Sequence, residues 1–203
     1  MTHIAIRNRE LPLDLDLGTP LGFGDEALFE LCRRNPELRI ERSSKGDLEV
    51  MTPAGGISSH RNAEILFAVM EWARRDGQGV VFDSSAGFVL PNGAMRSPDV
   101  AWVLRSRLDN LSLEIKQRFL PLAPDFVVEL RSPSDSLTEL QAKMEEYAAQ
   151  GVRLGWLIDA DERRVHVYRG HEAPEVLEDP AGLAGESVLS GFQLDLRLVW
   201  ARI

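Results

Sequence analysis

The sequence has little cysteine and no long apolar run, and both absences exclude classes of protein. Cys32 is the single cysteine among 203 residues, which excludes an internal disulfide and a zinc site built from cysteines. Because Cys32 lies in a helical pattern, we expect it to be a small core residue. No apolar stretch reaches the roughly 18 residues of a membrane-spanning helix. The N-terminal sequence MTHIAIRNRELPLDLDL lacks the features of a signal peptide, so we expect a cytoplasmic protein without membrane attachment.

Positive charge is also scarce, with 23 Lys and Arg against 32 Asp and Glu and a net charge of −9. This balance disfavours a protein that coats nucleic acid regardless of sequence, because such proteins neutralise phosphates with basic side chains. The acidity is concentrated at the ends: residues 1–30 and 172–203 each carry two basic and six acidic side chains. The remaining segment carries nineteen basic and twenty acidic side chains, so the centre of the chain can still present a basic face.

Helical and strand patterns alternate along the chain after about twenty residues that we expect to be extended, with Pro12 and Pro20. Period-two and 3.6-residue patterns, with turn residues between them, predict the elements. They are a helix through DEALFELCRRN, a hairpin from Leu38–Arg42 and Asp47–Met51, a helix from about Ser59 to Asp76, strands at Gly79–Asp83, Ala86–Leu90 and Pro98–Leu104, a helical segment at Ser106–Arg118, a strand from Phe126, a helix from Ser136, strands at Val152–Asp159, Arg164–Arg169 and Glu175–Glu178, and a final apolar element at Leu194–Trp200.

The stretch PDFVVELRSPSDSLTELQAK contains a carboxylate inside an apolar strand. Glu129 follows the run Phe126–Val128, which is too short for a helix and typical of a buried strand. Ser136 and Glu139 have the spacing of a capping box and predict the start of the next helix. On that helix Lys143 lies beside the apolar stripe that includes Tyr147, so its amine can reach back toward the strand end. Buried charges are costly unless they are paired, so this arrangement indicates a site.

A second carboxylate, Asp99, begins another apolar strand in SPDVAWV. Neighbouring strands lie about 4.8 Å apart, so adjacent positions would bring Asp99 and Glu129 close together. Two close carboxylates repel unless a proton or a cation separates them. With oxygen ligands alone, the fitting cation is Mg²⁺ or Mn²⁺. A lysine near such a metal favours hydrolysis of phosphodiesters.

Each residue also has a structural interpretation. Asp99 after a proline is typical of a turn or cap, Glu129 near an arginine is typical of a surface ion pair, and Lys143 is typical of a solvated helix face. The joint pattern favours the catalytic interpretation. Both carboxylates interrupt the strands that look most central, and the lysine follows one helix later.

The segments SPDV, PDFVVE with SPS, the spacing Lys143 to Tyr147, and WLID resemble the Uma2-type restriction endonucleases, a family of the PD-(D/E)XK nuclease superfamily. The resemblance covers about residues 38–169. It implies an α/β (α+β) fold with a restriction-endonuclease-like core, in which helices flank a central mixed β-sheet. We therefore expect one domain over residues 1–203, with a nuclease-like core at 38–169 and added elements at both ends. The resemblance also implies that Asp99 and Glu129 bind the metal, with the backbone carbonyl of Leu130 as a further ligand.

The superfamily motif has lysine two residues after the glutamate, where this chain has Arg131. Arginine keeps the charge and can bind phosphate, but it does not act as a base at neutral pH. The resemblance implies that in families of this type the lysine has moved to the following helix, which makes Lys143 the candidate for the third catalytic residue. Arg131 is a candidate substrate contact. His60 and Glu64 share one face of the long helix and are secondary candidates.

Two further pairs alternate along predicted strands. Glu41 and Glu49 lie in the first hairpin, where they can face the site. His166 and Tyr168 share the strand face opposite Val165 and Val167, where exposure is the simpler expectation.

We therefore expect a Mg²⁺- or Mn²⁺-dependent endonuclease that cleaves DNA, with a homodimer as a plausible assembly. The alternative is a nuclease-fold binding or interaction module with weak or no catalysis, consistent with Arg131 and the acidic ends.

Overall fold

The computed structural model describes residues 4–6, by their backbone alone, and residues 24–51 and 53–201. In chain order the elements are β1 (Ile4–Ile6), α1 (Asp25–Arg34), β2 (Arg39–Arg42), β3 (Leu48–Met51), α2 (Gly56–Asp76), β4 (Gly79–Asp83), β5 (Phe88–Val89), β6 (Met95–Arg96), β7 (Val100–Leu104), α3 (Arg105–Asp109), α4 (Leu113–Lys116), β8 (Phe126–Leu130), α5 (Leu137–Ala149), β9 (Leu154–Asp159), β10 (Arg164–Tyr168), β11 (Glu175–Glu178), β12 (Gly182–Ala184), β13 (Gln193–Asp195) and α6 (Leu196–Trp200). Apart from Ile4–Ile6, the predicted extended segment lies outside the described residues. None of the described helices is both long enough and apolar enough to cross a bilayer.

The chain divides into two compact units that interleave along the sequence. The first unit takes the described residues of Met1–Pro53 with Ser85–Ser97 and Ser112–Leu122; the second takes Ala54–Ser84, Pro98–Leu111 and the described residues of Ala123–Ile203. Neither unit matches the predicted boundaries of 38–169, and the expectation of a single domain stays a prediction.

The first unit contains a five-stranded sheet in the order β1-β3-β2-β6-β5. The predicted hairpin is confirmed, because β2 and β3 pair antiparallel with Ile40 opposite Val50. The inward side chains of these strands pack with Leu28 and Leu31 of α1 and with Met95 of β6. Alternation of apolar and polar residues is sufficient to build this half-buried sheet.

The second unit contains a six-stranded mixed sheet in the order β11-β10-β9-β8-β7-β4. Strands β8 and β9 are parallel, and the other neighbouring pairs are antiparallel. One face packs against α2 and α6, which contribute Ile65, Val69 and Trp72 from α2 and Val199 from α6. Helix α5 covers the other face. The expected mixed sheet with flanking helices is therefore confirmed.

Two glycines in this unit differ in what they contribute, Gly77 through its backbone conformation and Gly155 through its lack of a side chain. Gly77 ends α2 in the left-handed region with φ of 73°, as predicted from its position after the apolar stripe. Gly155 lies where β9 passes under α5, and a Cβ built there would come within 2.5 Å of the Met144 Cε atom. Gly155 therefore leaves room against β9 for the end of the Met144 side chain of α5.

The structure differs from the predicted elements mainly where they are short. Helix α2 begins at Gly56, earlier than the predicted start near Ser59. Its N-cap is Gly55, which has no side chain to cap the helix, so no capping residue in the sequence marks this start. Between the predicted strands Ala86–Leu90 and Pro98–Leu104 the chain forms an additional two-residue strand, β6, which pairs with β5. The predicted helical segment Ser106–Arg118 contains parts of two short helices, α3 and α4, and the final apolar element divides into β13 and α6.

Candidate active site

The two predicted carboxylates lie on neighbouring strands of the second unit. Strands β7 and β8 pair antiparallel with Val100 opposite Val128, so continuing the register sets Asp99 beside Glu129. The Asp99 Oδ2 atom accepts a hydrogen bond from the backbone N–H of Leu130 at 2.8 Å. The two strands are therefore adjacent, which was the condition for bringing the two acids together, and the roles of Asp99 and Glu129 stay predictions.

Glu129 lies on the α5 side of the sheet, because Val128 and Leu130 belong to the core on the other side. Every residue of β8 is buried, and the exposed fraction of Glu129 is 4%. Its Oε1 atom accepts hydrogen bonds from Lys143 Nζ at 2.8 Å and from the Tyr147 hydroxyl at 3.0 Å. Lys143 is also buried, with 7% exposure. A carboxylate in a dry interior needs such donors, since an unpaired buried charge costs several kcal/mol.

Tyr147 is the member of this cluster that sequence reasoning did not assign to the site. Its place in the apolar stripe of α5 predicted a core residue, and its ring is indeed fully buried. The signal was the spacing of four residues after Lys143, which puts both side chains on one face of the helix. The Lys143 Nζ atom lies 5.8 Å from the centroid of the Tyr147 ring.

Arg131, at the lysine position of the superfamily motif, is held by protein acceptors. Its Nη1 atom lies 2.5 Å from Oδ2 of Asp159 at the end of β9, and its Nε donates to the Asp135 carbonyl at 3.2 Å. Asp159 is buried, and its Oδ1 atom accepts the backbone N–H of Glu162 at 3.2 Å. The guanidinium thus joins the ends of β8 and β9 to the turn before α5.

The secondary candidates lie on α2. His60 and Glu64 are both half-buried. Arg61, which follows His60, forms an ion pair with Asp161 at 3.1 Å. Among the described residues, no three His, Cys, Asp or Glu side chains come together as a metal-binding group. His60 and Glu64 therefore do not complete a three-ligand site with Asp99 and Glu129.

Glu41 and Glu49 belong to the first unit and form ion pairs there. They are cross-strand partners on β2 and β3, and Arg96 Nη1 lies 3.2 Å from Glu41 Oε2 and 2.9 Å from Glu49 Oε2. The Glu41 Oε1 atom also accepts the backbone N–H of Ser97 at 3.0 Å. Within this unit both glutamates take part in a salt-bridge network around Arg96.

The expected exposure of His166 and Tyr168 is wrong, because both side chains are buried. The sheet face that they share is covered by α5. Burial is the main cause that lowers the pKa of His166 below its ordinary value. Burial, with a smaller contribution from Glu145, raises the pKa of Tyr168 to about 12.

The oxygens of Asp99 and Glu129 are the donor type that Mg²⁺ and Mn²⁺ prefer. Mg²⁺ keeps several waters and needs only one or two protein carboxylates together with substrate phosphate. The pair therefore fits such a metal without a third acidic ligand. Leu130 is the last residue of β8, and its carbonyl stays a predicted ligand.

A cleft of about 310 Å³ in the second unit contains none of these residues. Its lining includes Arg163 and Arg197, which would suit a phosphate. Each of these arginines is paired with an aspartate, Arg163 with Asp179 and Arg197 with Asp195. The carboxylate pair is therefore the better candidate site.

Comparison with protein families gives a match to the Uma2 family, described as "Putative restriction endonuclease", over residues 25–197. The chain belongs to the Uma2 family. A search of curated proteins gives no match. The structure is similar to a crystal structure described as a "putative nuclease belonging to DUF820" from Anabaena variabilis. The TM-score is 0.68 at 22% sequence identity, over 79% of this chain and 89% of that chain.

Membership of the Uma2 family confirms the resemblance found in the sequence motifs. The similarity to the solved structure confirms the nuclease-like fold. The Uma2 match runs from α1 to α6 and so includes Asp99, Glu129 and Lys143. Both descriptions point to a nuclease.

Proposed function

We propose that this Uma2 protein is a metal-dependent endonuclease that hydrolyses phosphodiester bonds of nucleic acid, with DNA as the expected substrate. The observation that carries the proposal is the pairing of two acids on adjacent strands with a buried lysine. Asp99 accepts the Leu130 N–H beside Glu129, and Lys143 Nζ lies 2.8 Å from Glu129 Oε1. Cytoplasm is the compartment expected from the sequence.

Asp99 and Glu129 would hold Mg²⁺ or Mn²⁺ through carboxylate oxygens, with the Leu130 carbonyl as a further ligand. When bound, such a metal acts as a Lewis acid toward the phosphoryl oxygens and lowers the pKa of bound water. The two acids supply negative charge that holds the cation, and the rigid pairing of β7 with β8 keeps their spacing fixed.

Lys143 would position or activate the attacking water and stabilise negative charge that develops on a phosphoryl oxygen. Its ammonium is already fixed by Glu129 and lies in a buried environment, where a charge interacts more strongly than in water. To contact substrate, the Arg131 guanidinium would have to leave Asp159 and bind a phosphate instead. His60 and Glu64 would lie outside the minimal catalytic set.

Each chain would have one such site, and one site cuts one strand at a time. Simultaneous cleavage of both DNA strands would therefore use the sites of two chains. A homodimer is therefore the assembly that we propose for double-strand cleavage. Size-exclusion chromatography with light scattering, with and without duplex DNA, tests this part independently of catalysis.

The function is tested by calorimetric titration of Mg²⁺ and Mn²⁺, with plasmid nicking followed in parallel. The variants are Asp99→Asn and Glu129→Gln, which keep an acceptor oxygen for the observed hydrogen bonds while removing the charge. Glu114→Gln, the same chemical change on the exposed helix α4, is the control.

We expect metal binding and nicking to be lost in both site variants and kept in the control. Wild-type protein that binds metal but cuts neither DNA nor RNA would favour the binding-module alternative. Wild-type protein that binds no metal at millimolar concentration would refute metal-dependent catalysis at this site.

A further inference from the structure

The hydroxyl of Tyr147 makes a contact that its place in the apolar stripe does not require. The Tyr147 ring is fully buried on α5, and its hydroxyl donates to Glu129 Oε1 at 3.0 Å. A phenylalanine would fill the same space and satisfy the same apolar pattern. A buried hydroxyl is unfavourable unless it is hydrogen-bonded, and here its partner is one of the two acids proposed to bind metal.

Two donors meet on one oxygen of Glu129. A carboxylate oxygen has two lone-pair positions, and Tyr147 and Lys143 approach Oε1 at 3.0 and 2.8 Å. The terminal torsion of a glutamate side chain is otherwise broad, so a single donor leaves the carboxylate free to rotate. Two donors from successive turns of one helix define the plane of the carboxylate.

Tyr147 also contacts the second donor. The Lys143 Nζ atom lies 5.8 Å from the Tyr147 ring centroid, within the range of a cation–π interaction. The ring therefore helps to keep the ammonium on the same oxygen to which the hydroxyl donates. The Tyr147 side chain thus restrains both Glu129 and Lys143.

We propose that Tyr147 is a positioning residue that orients Glu129, and with it Lys143, for metal binding. This inference rests on the proposed function of the site. Groups that hydrogen-bond to metal ligands fix ligand orientation, and their loss commonly weakens metal binding about 10- to 100-fold. Tyr147 acts through Glu129 and needs no contact with substrate.

The test compares Tyr147→Phe with Tyr168→Phe. Tyr168 is the other tyrosine of the chain and is likewise buried, on β10, so the control removes the same atom from a similar environment. Mn²⁺ affinity is measured by calorimetry, folding by thermal melting, and nicking rate as a function of metal concentration. If Tyr147→Phe melts too low for the assay, all three proteins are titrated at a temperature below its transition.

We expect Tyr147→Phe to raise the Mn²⁺ dissociation constant about 10- to 100-fold, with Tyr168→Phe unchanged. At saturating metal the maximal nicking rate of Tyr147→Phe should return to within a few-fold of wild type, because positioning is restored by mass action. Wild-type Mn²⁺ affinity in Tyr147→Phe would overturn this inference and leave the proposed nuclease intact. Absence of metal binding by the wild type would overturn the proposed function itself, and this inference with it.

Discussion

Arg131 and Asp159 form an ion pair of 2.5 Å that joins the ends of the two parallel strands β8 and β9. The pair shows how the structure holds an arginine two residues after Glu129. Arginine presents several N–H groups in a planar fork, and here one contacts Asp159 and another the Asp135 carbonyl. Lysine has one nitrogen and would not span both acceptors in the same way.

We predict that Arg131→Ala lowers the free energy of unfolding by about 1–3 kcal/mol, since it leaves buried Asp159 without a charged partner. Arg131→Lys should lose less, and neither variant should gain activity. Urea denaturation measures the stabilities. Wild-type stability together with lost nicking in Arg131→Ala would instead assign Arg131 to the substrate.

Replacement of Lys143 by methionine should separate metal binding from catalysis. Lys143→Met removes a cation that competes with the metal for the charge of Glu129, but it also removes one of the two donors that orient this carboxylate. Because these effects oppose each other, Lys143→Met should keep its Mn²⁺ affinity within about tenfold of wild type. Nicking should fall about 10²- to 10⁴-fold, because the residue proposed to position or activate water is removed. Calorimetry and plasmid nicking measure the two effects, with Lys116→Met on the exposed face of α4 as the control. Metal affinity that drops more than tenfold would show that Lys143 mainly preserves the Glu129 carboxylate.

The salt-bridge network around Arg96 should stabilise the first unit. Arg96→Met leaves the buried Glu41 and the half-buried Glu49 without this cation, so we expect a loss of about 3–5 kcal/mol in unfolding free energy. Arg74→Met at the exposed end of α2 should change stability by less than about 0.5 kcal/mol. Chemical denaturation distinguishes the two. A loss in Arg96→Met as small as in the control would mean that the network contributes little.

Acidification should destabilise the protein through His166, whose ring nitrogens are buried without a hydrogen-bond partner. Burial first, and Arg164 next, lower the pKa of His166, while Asp159 and Glu178 act in the opposite direction. The unfolded state then binds the proton more tightly than the folded state. The contribution of neutral His166 to the free energy of unfolding is therefore fully present above the unfolded pKa of about 6.5. It is lost as the pH falls toward the pKa of the folded state.

His166→Leu should therefore show a smaller loss of unfolding free energy than wild type between pH 7.5 and pH 5. His171→Leu, at an exposed position, should keep the wild-type slope. Urea denaturation at several pH values gives both slopes. Equal slopes for wild type and His166→Leu would exclude this histidine as a source of acid sensitivity.

Local patterns were sufficient to predict most elements of the second unit. The short apolar run predicted β8, and the predicted capping box is partly present, because Ser136 caps α5 by accepting the Glu139 backbone N–H at 3.4 Å. Both carboxylates and Lys143 were singled out because a charge in an apolar pattern is unusual, and their catalytic roles stay predictions. The two-residue strand β6 was missed, because it depends on pairing with β2 and β5 and has too few residues to show a period.

The rest of the site depends on contacts that a single sequence does not display. The Tyr147 hydroxyl was missed because tyrosine fits an apolar stripe equally well whether or not its oxygen has a partner. The burial of His166 was missed because alternation along β10 separates two faces but does not reveal that helices cover both. The Arg131–Asp159 pair depends on the parallel alignment of β8 with β9.

The order in which the chain is synthesised bears on β8, which is buried along its whole length. Lys143 and Tyr147 both follow Glu129 in the chain, Tyr147 by 18 residues, so both donors are synthesised after β8. Ribosomes add about 5–20 residues per second, so for on the order of a second the nascent Glu129 has neither donor. Desolvating an unpaired carboxylate costs several kcal/mol, which should keep β8 from docking stably until α5 emerges. The buried charge of Glu129 would thus also determine when β8 docks during synthesis.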